Sequence, residues 1–123
     1  MAREVVARTV RGWQTGGQSR LCDDVTTVVS ELVANACRHG LRQADGEPPW
    51  RIVLGLVRTD SHLMCVVSDP GAEPLSLLPL TPDAEIGHGL HIVDRTAADW
   101  GWHPGAPTTG KIVWAAFPYR VPA

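Results

Sequence analysis

Two residues in the stretch Val25-Thr-Thr-Val-Val-Ser-Glu-Leu-Val-Ala-Asn-Ala-Cys-Arg-His-Gly40 carry side chains fit for chemistry, Glu31 and Asn35. On a helix they project from one side, a turn apart. A carboxylate in that position can take a proton, and an amide oxygen one turn on can join a magnesium shell. Arg38 and His39 continue the same side at steps of about four residues. Farther along, Asp69-Pro-Gly71 and Gly87-His-Gly-Leu-His-Ile-Val93 add a second carboxylate and a pair of glycines. Each feature alone has a plainer reading. Glu and Asn are ordinary on a solvated helix face, and Asp-Pro-Gly after a strand is an ordinary turn. Gly-His-Gly can be plain loop, with His88 and His91 facing solvent.

The elements that must hold these residues follow from periodicity. Val25, Val28, Val29, Leu32, Val33 and Ala36 recur at helical spacing and predict the packing face of a central helix, capped by Asp23 or Asp24 and stopped at Gly40. A short amphipathic helix is predicted from Ala2 to Trp13, with Val5, Val6, Thr9, Val10 and Trp13 on one side. Gln14 to Arg20 and Leu41 to Pro49 read as loops. Alternation places Ile52, Leu54 and Leu56 opposite Arg51, Val53 and Val57, and continues over Leu63–Ser68, with Asp60-Ser-His62 as the joint of an antiparallel hairpin. A proline-rich loop follows to Ile86, then a second helix from Gly89 to Ala98 with Leu90, Ile92, Val93 and Ala97 inward. Trp100–His103 and Lys111–Phe117 close the chain as two strands joined by a Pro/Gly turn. Helices on one face of a mixed, mostly antiparallel sheet make a two-layer α+β sandwich.

Composition bounds the remaining classes. At 123 residues the chain is read as a single domain, 1–123. Hydrophobic residues make up 44% and charged residues 20%, which are globular values. A formal net charge of -2 argues against direct nucleic-acid binding. No apolar run reaches the length of a membrane span. The three cysteines lack metal-ligand spacing, with Cys37 and Cys65 read as small core residues. A reducing cytoplasm is the expected compartment.

In their order along the chain, these motifs resemble the GHKL family of ATP-binding domains, the Bergerat fold. More narrowly, VVSELVANACRHG followed by GHGLHIVDRTAADWGW is similar to the anti-sigma factor serine/threonine kinases and their small stand-alone bacterial relatives. The resemblance runs from Arg3 to Phe117. It implies ATP and Mg²⁺ as cofactors, with Glu31 as general base and Asn35 as the magnesium ligand. It implies that Asp69 accepts from the adenine amino group while Gly71 lets backbone pass close to the base. Gly87, Gly89 and Leu90 would form the second glycine box, where bare amides meet phosphate at a helix N-terminus. The implied partners are a sigma factor and an anti-anti-sigma protein, in the bacterial cytoplasm, and the resemblance leaves room for a homodimer. Three positions depart from the family pattern. Ala72-Glu73-Pro74 follows the aspartate box, the segment between Asp69 and Gly87 has no Lys or Arg, and Lys111 follows Gly110 where the family often has threonine. These departures keep open a second reading, a non-catalytic interaction module with a degenerate nucleotide site.

Overall fold

The computed structural model describes residues 4–5, 8–9, 19–40, 51–71, 88–105 and 110–119. Helix α1 spans Ser19–Asn35 and passes directly into a π turn, Ala36–Gly40. Strands β1 (Val53–Arg58) and β2 (His62–Asp69) form the hairpin, helix α2 covers His88–Thr96, and β3 (Asp99–Pro104) and β4 (Lys111–Pro118) complete the sheet. The strand order is β1-β2-β4-β3. Every described pairing is antiparallel, so the mixed character expected of the sheet is not found among the described residues. The α+β two-layer architecture holds.

Period-two alternation decides which side of each strand is covered. On β2, Leu63, Cys65 and Val67 are buried, and the β4 residues paired with them, Phe117, Ala115 and Val113, are buried too. The helices pack on this inner face, with Val25, Val28, Val29 and Leu32 of α1 and Val93 of α2 joining the core. Fully burying a side chain of that size contributes about 1.5–3 kcal/mol, and this shared face joins the two layers. Ile52, just before β1, and Leu54 and Leu56 on it pack against the core as the alternation predicts, and Val53 and Val57 are exposed. The hairpin joint is closed by the Thr59 N–H donating to the His62 carbonyl at 2.8 Å.

Six expectations need correction. The central helix begins at Ser19, so Asp23 and Asp24 lie inside it rather than capping it, and Ser19 and Arg20 are helix rather than loop. Cys22 is buried and Leu21 packs on the core, so the apolar face starts a turn earlier than the aspartates suggest. Cys37 is exposed, because the π turn carries it out of the face on which Ala36 remains buried. Near the N-terminus, Glu4, Val5, Arg8 and Thr9 are helical, but Val5 is exposed rather than packed. The second helix ends at Thr96, two residues earlier than predicted, and Ile92 is only half-buried. Buried Thr26 is satisfied within α1, its hydroxyl donating to the Cys22 carbonyl at 2.7 Å. Among the described residues no helix is long and apolar enough to cross a membrane.

Candidate functional site

The first turns of α1 (Arg20, Leu21, Asp24), the hairpin joint (Asp60, Ser61) and the residues just after α2 (Ala97, Ala98) line one open groove of about 740 Å³. That groove marks one end of the sandwich. Helix α1 starts there and runs about 25 Å away from it. Helix α2 arrives there, so its first turn points away from the groove. Strand β2 also leaves the hairpin joint and finishes at Asp69, at the far end of the sheet. Three termini thus face away from the groove: the last turn of α1 with Glu31 and Asn35, the end of β2 with Asp69 and Gly71, and the start of α2 with Gly89 and Leu90.

The polar chemistry at this end is concentrated in one rung of the sheet. Asp69 and Lys111 are register partners across β2 and β4, the last inward rung after Leu63–Phe117, Cys65–Ala115 and Val67–Val113. Where the earlier rungs are apolar, this one is an ion pair. Lys111 Nζ lies 3.0 Å from Asp69 Oδ1, with the two side chains only 2% and 1% exposed. The ammonium also donates to the Gly71 carbonyl at 3.3 Å. Asp69 Oδ1 accepts a second hydrogen bond from the Gly71 N–H at 2.7 Å, closing an Asx turn over Pro70. The ordinary-turn reading of Asp-Pro-Gly is thus correct for one carboxylate oxygen. Oδ2 receives no hydrogen bond from the described residues.

Gly110 is what allows this rung to form. Its φ is 110°, a conformation side chains rarely adopt, and a Cβ there would lie 2.5 Å from the Asp69 carbonyl oxygen. Without a side chain the start of β4 can press against the end of β2, which brings the lysine amine onto the carboxylate. Neither Gly110 nor Lys111 is among the expected site residues. The signal was available, since counting back by twos from Phe117 puts Lys111 on the inward side.

Glu31 and Asn35 are both half-buried and stand one turn apart at the end of α1, as expected. The widened i→i+5 turn that begins at Ala36 breaks the four-residue stagger beyond Asn35, and Arg38 is exposed. The side chain of His39 lies outside the described residues. Gly89 sits in the first turn of α2, a turn without acidic side chains, and Leu90 is buried. Gly87 and the segment from Ala72 to Ile86 lie outside the described residues. Among the described residues no group of three or more His, Cys, Asp or Glu could hold a metal ion. Asn35 offers a single neutral oxygen, which suits a magnesium ion that takes most of its ligands from phosphates and water. The residues present fit a Mg-nucleotide: one acceptor for a base, one oxygen for the cation and a helix N-terminus free of negative charge.

No curated protein matches the chain. A family model does, over residues 2–117, nearly its whole length. With the antiparallel sheet, the two helices and the polar end described above, the chain belongs to the histidine kinase-like ATPase domain family and is a GHKL-type ATP-binding domain.

Proposed function

We propose that the protein is an ATP-binding regulator of the anti-sigma type, acting as a serine/threonine kinase on an anti-anti-sigma partner and holding a sigma factor. The observation that carries this reading is the buried Asp69–Lys111 rung at the end of β2, where Asp69 Oδ2 takes no hydrogen bond from the described residues. The motifs VVSELVANACRHG and GHGLHIVDRTAADWGW support the anti-sigma assignment. ATP bound with Mg²⁺ supplies a transferable phosphoryl group together with the cation that offsets its charge.

The residues divide the remaining work. Asp69 Oδ2 accepts from the base amino group, and Gly71 leaves its backbone open beside it. Asn35 contributes its side-chain oxygen to the cation. Amides in the first turn of α2, at Gly89 and around Leu90, face the phosphates. Glu31 takes the proton of the attacking serine hydroxyl, which must travel only to a half-buried carboxylate open to a partner protein. Transfer of this kind depends on positioning and charge neutralisation more than on covalent help.

The second reading, a non-catalytic interaction module, is favoured by the segment from Pro70 to Ile86, which contains no Lys or Arg to meet a γ-phosphate. One variant separates the two. Glu31→Ala leaves Mg-ATP binding close to wild type but lowers labelling of an anti-anti-sigma partner by roughly 10²–10⁴-fold, the worth of a positioned base. A panel of anti-anti-sigma proteins with labelled ATP supplies the assay. If wild type binds ATP and labels none of them, while Glu31→Ala still captures a sigma factor, the kinase reading falls and the module stands.

A further inference from the structure

An ammonium has three protons to donate, and Lys111 spends two, on Asp69 Oδ1 and on the Gly71 carbonyl. The third finds no acceptor among the described residues, although the side chain is only 2% exposed. Asp69 is in the complementary state: Oδ1 takes two hydrogen bonds and Oδ2 takes none from the described residues. One sheet rung therefore holds, side by side and out of solvent, a donor and an acceptor that the described residues leave unspent. Neutralising the aspartate takes only one of the three N–H groups, and a buried pair with groups left over among the described residues is a costly way to fill a core position.

The edge of adenine carries the matching pattern. Its 6-amino group donates, and the neighbouring ring nitrogen N1 accepts. We propose that Lys111 is a base-reading residue: its third N–H donates to N1 of the adenine whose amino group is held by Asp69 Oδ2. This rests on the nucleotide-site reading above and gives a role to the position where Lys111 departs from the family's threonine. The Gly71 carbonyl holds the ammonium in place before any ligand arrives, and Gly110 is the positioning residue that lets the strand carrying it come close enough. An ammonium facing N1 also discriminates against a base such as hypoxanthine, whose N1 carries a hydrogen and whose position 6 carries an acceptor.

Calorimetric titration of the full chain with ATP, 1-deaza-ATP (ring N1 replaced by C–H) and 7-deaza-ATP tests the assignment. Wild type is expected to bind 1-deaza-ATP about 10–100-fold more weakly than ATP, the range for losing a hydrogen bond to a charged donor, with 7-deaza-ATP close to ATP. In Lys111→Met, which keeps the volume and removes the donors, ATP and 1-deaza-ATP are expected to bind alike. Should that variant fail to fold, the wild-type analogue series decides alone. Equal binding of ATP and 1-deaza-ATP by wild type overturns the proposal. If ATP nevertheless binds wild type and is lost in Asp69→Asn protein that keeps the wild-type circular dichroism, the site stands and only the role of Lys111 falls. If wild type binds no ATP, both fall.

Discussion

Gly110→Ala is the sharpest perturbation of the rung that joins the core to the site. The added Cβ would stand 2.5 Å from the Asp69 carbonyl oxygen and 3.3 Å from Pro70 Cα, both backbone atoms that cannot swing aside. The residue would also have to hold a φ of 110°, which costs a side-chain-bearing residue about 1–3 kcal/mol. Relieving the clash means moving β4 off β2 by the better part of an ångström, enough to break the 3.0 Å contact between Lys111 and Asp69. The two effects trade against each other rather than add, and a total near 3 kcal/mol is expected, within the upper range of single substitutions. For a domain of 123 residues that is a fall in melting temperature on the order of 10 °C. Circular dichroism melts of three variants make the measurement specific. Gly105→Ala, in the same hairpin, meets only ordinary contacts at 3.7 Å, and Gly55→Ala meets nothing within 4 Å. Both should stay within about 1 kcal/mol of wild type. If Gly110→Ala melts with those two controls, the close approach of β4 to β2 does not constrain the molecule and the account of the rung is wrong.

Other substitutions probe the remaining parts. Asp69→Asn leaves the buried lysine without its counter-ion and places an amide that can donate where the base amino group also donates; in protein shown by circular dichroism to be folded, ATP binding should weaken by about 1–3 kcal/mol, and unchanged calorimetric affinity would move the site elsewhere. Asn35→Ala should flatten the Mg²⁺ dependence of ATP binding while leaving the helix content intact, and a retained metal response would remove Asn35 as a ligand. Exposed Cys37 should react quickly with a thiol reagent at pH 8, whereas burial pushes the Cys65 thiol up to about 12, which lowers its thiolate fraction roughly 1,000-fold against an ordinary thiol. The same shift has a stability sign. Unfolded Cys65 ionises near 9.0 and folded Cys65 near 12, so the unfolded state sheds its proton first and stability falls as pH rises between those values. Alkaline unfolding curves of Cys65→Ala should be flatter than those of wild type across that window; parallel curves would contradict the shift.

Much of the architecture is legible in alternation and helical spacing. Ile52, Leu54 and Leu56 against Val53 and Val57 declare the two sides of β1, and the pairing of β1 with β2 follows from the short polar joint between them. Glu31 and Asn35 are legible for the same reason, since four-residue spacing is the one relation a regular helix guarantees. What spacing could not show is the π turn. It changes the residue count per turn without any signature residue, and that change exposes Cys37 and breaks the four-residue stagger beyond Asn35. The start of α1 was misread because aspartates at 23 and 24 look like caps, although Leu21 and Cys22 already belong to the buried face. Lys111 was legible in parity but not in role, because only the register of β2 with β4 reveals that the inward lysine meets Asp69. That register joins residues 42 positions apart, a relation that no local pattern encodes.

The buried pair also constrains how sequences of this kind can change over time. Losing Asp69 alone strands the lysine out of solvent, at a cost of about 3–5 kcal/mol, a large share of the stability a small domain has to spend. Losing Lys111 is the milder step, since the family often carries threonine at that position beside the same aspartate. The dependence therefore runs one way: the lysine needs the aspartate more than the aspartate needs the lysine, and a change at 69 is expected to follow a change at 111.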